Sequence, residues 1–311
     1  MQPSPFDLRQ GAAYRRWRDR KLASAPQQWQ DLVVQVADPR RLSDDERQAL
    51  LRRCASANMA IYSSAHCEPD QDIVRALASQ LGLGRLDGNW LADEDGISQI
   101  EVAAQAGDRR AFIPYTDRPI QWHTDGYYQP PSRPVRAMLL HCVRSAASGG
   151  ENLLMDHEMA YIALRDANPD WLRALMADAM TIPQRLDDDG VARAEQSGPV
   201  FSVDAQDGCL HMRYTARTRS VLWSDDPATL AGAALLRQLL QPDAAHVLRV
   251  RLEPGMGLVC NNVLHRRAGF VDDPIQPRLL YRARYLDRVA AADDGSSAAS
   301  GANAAAGIGS A

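Results

Sequence analysis

A histidine and an aspartate two positions apart, His123 and Asp125, form the first candidate site in the sequence. They belong to the segment QWHTDGYY, residues 121–128. On an extended chain the side chains of residues i and i+2 point to the same side, so the imidazole and the carboxylate can face one centre. Asp-Gly is also a common turn dipeptide. By itself the pair therefore indicates a metal site only weakly.

A second histidine, His265, follows one of the clearest predicted strands, and arginines recur on the next one. Arg278, Arg282 and Arg284 have even spacings, so a strand would present them on one face. Two imidazoles and one carboxylate form the facial triad of non-haem iron(II) oxygenases. Arginines at this spacing suit a ligand carboxylate. The residues also permit a zinc-dependent hydrolase, in which the same three ligands hold Zn(II) and activate a water.

Four segments of the chain occur in a specific order: WHTDGYY, SGGENLLMD, NNVLHRRAGF and RLLYRARY. In this order they resemble the TauD/TfdA (taurine dioxygenase) family of iron(II)/2-oxoglutarate-dependent dioxygenases, over roughly residues 115–288. The resemblance implies that His123, Asp125 and His265 are the ligands of Fe(II) and the catalytic centre. It also implies 2-oxoglutarate and O2 as co-substrates.

For 2-oxoglutarate, the resemblance implies two arginines and one amide. Arg278 corresponds to the arginine that pairs with the far carboxylate, and Arg282 to a second arginine near the keto end or the substrate. Asn152, after the Gly149–Glu151 segment, stands where the family has a threonine, and its amide can also donate to a carboxylate. Pro119 replaces a substrate-contacting asparagine, so taurine is not the expected substrate.

The resemblance implies hydroxylation of an unactivated C–H bond. In such enzymes, oxidative decarboxylation of 2-oxoglutarate to succinate and CO2 drives the oxidation of a substrate. Halogenating relatives carry a small residue in place of the metal-binding carboxylate, whereas this chain has Asp125. The sequence also leaves open a non-catalytic metabolite-binding module on the same fold, although all three ligand positions are intact.

The substrate pocket is predicted from five aromatic and basic residues: Tyr127, Tyr128, Arg213, Tyr214 and Arg217. The two tyrosines at 127 and 128 follow the metal-site motif, and the remaining three belong to the polar stretch HMRYTAR. Several arginines would favour an anionic substrate, whereas aromatic rings can hold a quaternary amine by cation–π contact. The sequence leaves both open and predicts a small polar metabolite of either kind.

Capping signals predict the helices around this site. Ser43 and Glu46 form a capping box before an apolar-periodic run. The other helices are predicted at residues 70–81 before Gly82, at 156–166, from Asn168-Pro169 and from Asp226-Pro227.

Four strands are predicted most clearly, at residues 135–143, 246–252, 256–262 and 278–286. None is followed by a Gly-rich phosphate loop, which argues against a nucleotide-binding α/β fold. Many short strands with helices among them favour an α+β or mainly β protein. The resemblance adds a specific fold, a double-stranded β-helix (jelly roll) core with helical insertions.

The composition is that of an ordinary globular protein. The chain has 311 residues, 45% of them hydrophobic, and its 35 basic and 39 acidic residues give a net charge of −4. The mild acidity argues against nucleic acid as a partner, and no apolar run is long enough for a membrane helix. We expect a small-molecule substrate and a cytoplasmic location, and the family resemblance suggests a homo-oligomer.

Three parts are predicted along the chain. They are an irregular N-terminal lead-in with a short helix (residues 1–35), a single dioxygenase domain (36–289) and a disordered Ala/Gly/Ser tail (290–311). The five cysteines contain no CxxC pair, so neither a disulfide framework nor a thiolate metal site is predicted.

Overall fold

Six α-helices and nineteen short β-strands lie in the part of the chain that the computed structural model describes, residues 4–88, 96–102, 112–186 and 192–291. The helices are α1 (Gly11–Ala23), α2 (Asp44–Ala57), α3 (Asp72–Gln80), α4 (His157–Ala167), α5 (Pro169–Leu175) and α6 (Pro227–Leu239). The strands are β1 (Val33–Gln35), β2 (Met59–Ser63), β3 (Ser98–Ile100), β4 (Ile120–His123), β5 (Ala137–Arg144), β6 (Ser148–Gly149), β7 (Asn152–Met155), β8 (Met180–Ile182), β9 (Arg185–Leu186), β10 (Ala192–Arg193), β11 (Gln196–Gly198), β12 (Phe201–Val203), β13 (Leu210–Met212), β14 (Leu222–Trp223), β15 (Leu248–Val250), β16 (Met256–Cys260), β17 (Leu264–Arg267), β18 (Phe270–Val271) and β19 (Leu279–Tyr285).

Ten of the strands form two main sheets. The larger sheet has the order β1-β2-β16-β5-β19-β3, in which β1 and β2 are parallel and the other neighbours antiparallel. The smaller sheet has the order β15-β7-β17-β4 and is antiparallel. Neighbours in each sheet are far apart in sequence, because the chain crosses repeatedly between the sheets, as in a jelly roll. The predicted double-stranded β-helix with helical insertions is confirmed.

Apolar side chains fill the space between the two sheets. Leu154 of β7 and Leu258 of β16 are buried in this inner cluster. Residues next to them in sequence point the other way: Leu153 and Met155 pack with α4 and α5, and Val259 packs with α2 and α3. Both faces of each sheet are therefore covered, which explains the nearly continuous apolar runs in these strands.

Side-chain caps start the helices where the sequence predicts them. Ser43 Oγ accepts from the backbone N–H of Glu46, and Glu46 Oε2 accepts from that of Ser43, which completes the capping box of α2. Helix α3 ends at Gln80, two residues before Gly82. Gly82 has a φ of +79°, a left-handed conformation that glycine adopts more readily than other residues. The N-cap residues of α4, α5 and α6 are Asp156, Asn168 and Asp226.

The N-terminal segment contains a longer helix than its sequence pattern predicts. Helix α1 has 13 residues, and its Lys21 is buried. Lys21 Nζ lies 2.6 Å from Asp156 Oδ2 and 2.5 Å from Glu158 Oε2. A buried ion pair thus attaches α1 to the start of α4. Of the tail predicted at 290–311, residues 292–311 lie outside the described residues.

Two further observations bear on the class of protein. No described helix combines the length with the apolar composition that crossing a membrane would require. All five cysteines are free thiols, and Cys54, Cys142 and Cys260 are buried. The sequence-based expectation of unpaired cysteines agrees with this.

Replacing Lys21 by Met is expected to lower the free energy of unfolding, because two buried carboxylates lose their common cation. Loss of one member of a buried ion pair typically costs about 3–5 kcal/mol. Urea unfolding measures the change, and Arg16→Met on an exposed position of the same helix is the matched control. A loss under about 1 kcal/mol, the level of an exposed pair, would contradict the assigned anchoring role.

Candidate metal centre

Three potential metal ligands meet where β4 and β17 pair. His123 and His265 are direct partners across this antiparallel pair, and their ring centroids are 4.2 Å apart. Asp125 follows two residues after His123, with its Oδ1 3.6 Å from His123 Nε2. One candidate ligand atom from each residue lies within 4.8 Å of the others. The register of a single strand pair therefore assembles the three residues that the sequence singles out.

Each imidazole has one nitrogen occupied by the backbone. His123 Nδ1 lies 2.8 Å from the carbonyl oxygen of Gln121, and His265 Nδ1 lies 2.9 Å from that of Val263. A carbonyl oxygen can only accept, so each Nδ1 carries the proton and each Nε2 keeps its lone pair for a metal. Burial lowers the pKa of His265 to about 4, so its imidazole is neutral near pH 7.

Asp125 is ionised although its side chain is almost completely buried. Burial by itself would raise the pKa of Asp125, but the positive charges of Arg282, with Nη1 3.5 Å from Oδ1, and of Arg284 hold that pKa well below its usual range. Asp125 Oδ2 is buried and has no hydrogen-bond partner among the described residues. An ionised oxygen without a partner, beside two imidazole rings, fits a divalent cation such as Fe(II).

Asn262 fixes the backbone of Asp125 in place. Its Oδ1 accepts from the N–H of Asp125 (2.8 Å), and its Nδ2 donates to the carbonyl oxygens of Asp125 (2.9 Å) and Val135 (2.6 Å). Gly126 completes the turn with a φ of +69°, and a Cβ there would lie 2.5 Å from Val135. Glycine at position 126 is thus a steric requirement of the turn. The sequence places Asn262 at a strand end and does not reveal its role.

The residues expected to hold 2-oxoglutarate lie in two places. Arg282 is next to Asp125, whereas Arg278 and Asn152 line a smaller cavity together with Gly149 and Gly150. Arg278 is buried, and its Nη1 has no hydrogen-bond partner in the described part of the chain. Buried donors nearly always have partners, so this guanidinium fits an anionic ligand such as a carboxylate.

A cavity of about 120 Å³ opens onto the metal-ligand cluster, and arginines dominate its charge. Its charged residues are Arg185, Arg193, Arg217, Arg282, Arg284 and Asp125. Its aromatic residues are Phe112, Tyr115, Tyr127 and Tyr128. Since five cations face one carboxylate, the cavity has a positive electrostatic potential, which attracts anions.

Three of the five residues predicted to contact substrate line this cavity: Tyr127, Tyr128 and Arg217. The structure does not bring the remaining two there. Arg213 donates to three backbone carbonyl oxygens, including that of Tyr127 at 2.9 Å. Tyr214 is buried, and its backbone carbonyl accepts from the N–H of Thr124. Both residues shape the segment that carries the ligands rather than the cavity wall.

Three more arginines line the cavity, and the sequence indicates only Arg284 among them, through its even spacing from Arg282. Arg284 Nη1 donates to Tyr128 Oη at 2.9 Å, and its Nη2 lies 2.5 Å from the buried carboxylate of Asp87. Arg185 and Arg193 belong to the hairpin of β9 and β10. The Asp189-Gly190 dipeptide between them is a hairpin signal that could have indicated two facing arginines.

Sequence comparisons identify relatives over most of the chain. The model of the family described as "Taurine catabolism dioxygenase TauD, TfdA family" matches residues 18–284. A uridine-5'-phosphate dioxygenase from Amycolatopsis sp is 28% identical over 274 residues, which cover 83% of this chain and 98% of that relative. A uridine-5'-phosphate dioxygenase from Streptomyces sp is 28% identical over 231 residues, covering 71% of this chain and 80% of that relative.

The fold is also similar to that of solved structures. An asparagine oxygenase in complex with Fe(II), 3-hydroxyasparagine and succinate aligns with a TM-score of 0.57 at 15% identity, covering 78% of each chain. At this identity the likeness concerns the fold, and it agrees with the two-sheet arrangement described above.

Replacing Asn262 by Gly is expected to weaken Fe(II) binding by about 10–100-fold, the usual cost of losing a group that orients a metal ligand. Glycine keeps the left-handed backbone (φ +51°) and removes the amide that holds Asp125. Anaerobic Fe(II) titration measures the affinity. Asn58→Gly is the matched control, since Asn58 is also buried and left-handed (φ +57°) but contacts Asp156. Equal Fe(II) affinity in both variants would contradict the role of Asn262.

Proposed function

The chain belongs to the taurine catabolism dioxygenase TauD, TfdA family, and we propose that it hydroxylates an anionic small molecule at the His123–Asp125–His265 cluster. It is a 2-oxoglutarate-dependent oxygenase, with Fe(II) as the metal and 2-oxoglutarate and O2 as co-substrates. The overall reaction is balanced: one oxygen atom of O2 enters the hydroxyl group of the product, the other enters succinate, and CO2 is released. The single observation that supports an anionic substrate is that five arginines and only one carboxylate line the cavity beside the metal-ligand cluster.

The metal would be held by the Nε2 atoms of His123 and His265 and by Asp125. When bound, Fe(II) and 2-oxoglutarate supply the oxidising chemistry that a side chain cannot provide. The protein contributes orientation, because backbone carbonyls fix both imidazoles and Asn262 fixes Asp125. It also contributes a water-poor environment, since Asp125 and His265 are both buried.

The co-substrate would be held by Arg278 and Asn152, with Arg282 nearer the metal. The unpartnered Nη1 of Arg278 supports this assignment, because a carboxylate would supply the missing acceptor. Asn152 lines the same cavity, and its amide can donate a second hydrogen bond.

An anionic substrate is favoured over a quaternary amine. Aromatic rings alone would suit a quaternary amine, but arginines already occupy two of them: Arg193 Cζ lies 4.5 Å from the ring centroid of Tyr128, and Arg185 Cζ lies 5.1 Å from that of Phe112. A cationic ligand would be repelled there. The two curated relatives are named for uridine-5'-phosphate, so a nucleoside monophosphate is the first candidate.

A zinc hydrolase and a non-catalytic binding module have less support than an oxygenase. A zinc hydrolase would use the same three ligands but would leave the buried donor of Arg278 without a function. A non-catalytic module would not need ligand atoms held ready for a metal. We further propose a small-molecule substrate without nucleic acid, a cytoplasmic location consistent with the free cysteines, and a homo-oligomer.

Substrate-dependent succinate release tests this function. Protein supplied with Fe(II), 2-oxoglutarate and O2 is mixed with uridine 5'-monophosphate, other nucleoside monophosphates, uncharged nucleosides, taurine and choline. We expect at least one phosphorylated anion to raise succinate release about tenfold or more above the rate without substrate, and Asp125→Ala to abolish the increase. Stimulation by choline and by none of the anions would contradict the proposed substrate class.

A further inference from the structure

We infer that Arg185 and Arg193, which face each other on the β9–β10 hairpin, form with Arg217 a subsite for the phosphate group of the substrate. This inference rests on the proposed function and names the residues that would select a phosphorylated substrate. All three line the cavity that also contains the metal ligands His123 and Asp125.

The hairpin places two like charges directly opposite each other. Arg185 and Arg193 are Cα partners in the antiparallel register of β9 and β10. Like charges at directly opposed positions destabilise a strand pair. An anion with more than one negative oxygen can contact both guanidinium groups from this register.

Aromatic rings hold both guanidinium groups at the cavity wall. The Cζ atom of Arg185 lies 5.1 Å from the ring centroid of Phe112, and that of Arg193 lies 4.5 Å from the ring centroid of Tyr128. Such stacking orients a guanidinium while leaving its in-plane N–H groups able to bind a phosphate in a bidentate manner. The Nε of Arg193 is buried and has no hydrogen-bond partner among the described residues.

Two of the cavity arginines have a carboxylate partner, whereas Arg193 and Arg217 have none among the described residues. Arg282 is near Asp125, and Arg284 pairs with Asp87. Arg193 and Arg217, in contrast, form no ion pair within the described part of the chain. Arg193 and Arg217 therefore keep a positive charge that is available for a substrate.

A row of rings connects the metal cluster to this subsite. The ring of Tyr127 lies 6.4 Å from that of His123 and 5.3 Å from that of Tyr128, and Arg193 covers Tyr128. A substrate with its phosphate at Arg193 and its reacting carbon near the metal would therefore lie along two phenol rings. A flat or ring-containing body, such as that of a nucleoside, can pack against them.

Binding of uridine 5'-monophosphate and of uridine to the full-length protein tests the subsite without relying on turnover. Isothermal titration is performed under anaerobic conditions with Fe(II) and 2-oxoglutarate present, and inorganic phosphate serves as a competitor. The variants are Arg185→Gln and Arg193→Gln, which keep a polar side chain and remove the charge. Arg219→Gln is the matched control, since Arg219 is exposed near Arg217 and does not line the cavity.

We expect each hairpin variant to bind uridine 5'-monophosphate at least about tenfold more weakly, with uridine binding unchanged and Arg219→Gln equal to wild type. Phosphate should compete in the wild type and compete less in the variants. Equal losses for uridine and its monophosphate would show a structural role and overturn the subsite. Wild-type protein that oxidises another anion but binds neither uridine 5'-monophosphate nor phosphate would also overturn it, while leaving the oxygenase function intact.

Discussion

The antiparallel pairing of β4 with β17 is the constraint on which the functional site depends. It places His123 opposite His265 and puts Asp125 within reach of both, so a shift of one residue would point one imidazole to the opposite face. The pairing lies in the smaller sheet, where β17 also pairs with β7 and so sets Asn152 in register with Arg267. The two histidine ligands and Asn152 are thus positioned by the same strand, whereas Arg282 lies on β19 of the larger sheet.

Buried and half-buried arginines serve two different purposes in this protein, and the hydrogen bonds of each side chain distinguish the two groups. Arg213 and Arg267 each donate to three backbone carbonyl oxygens and so hold loops around the site. Burial lowers the pKa of Arg267 to about 9, a cost that these bonds offset. The side chains of Arg278 and Arg193 instead form no hydrogen bond with the described residues, and each guanidinium lies over an aromatic ring. We interpret the first kind as structural and the second as ligand-binding.

The sequence predicts most of what depends on local pattern and much less of what depends on distant contacts. The helix caps, the jelly-roll strands and the metal-ligand cluster follow from short motifs and family resemblance. The pairing of Asp87 with Arg284 does not, because 197 residues separate them. Arg213 lies outside the cavity although its neighbourhood in the sequence predicts substrate contact, and it donates to three backbone carbonyl oxygens. Strands of two residues, such as β9 and β10, are too short for a periodic signal, so the sequence does not predict Arg185 and Arg193 as cavity residues.

The central claim is that one cluster binds Fe(II) and that Arg278 presents 2-oxoglutarate to it. The most direct measurement is the weak visible metal-to-ligand absorption band after anaerobic addition of Fe(II) and 2-oxoglutarate to metal-free protein. We predict the band in wild type, its absence in His123→Ala, and its appearance in Arg278→Gln only at higher 2-oxoglutarate concentration. No band in wild type, or an unchanged band in His123→Ala, would contradict the account.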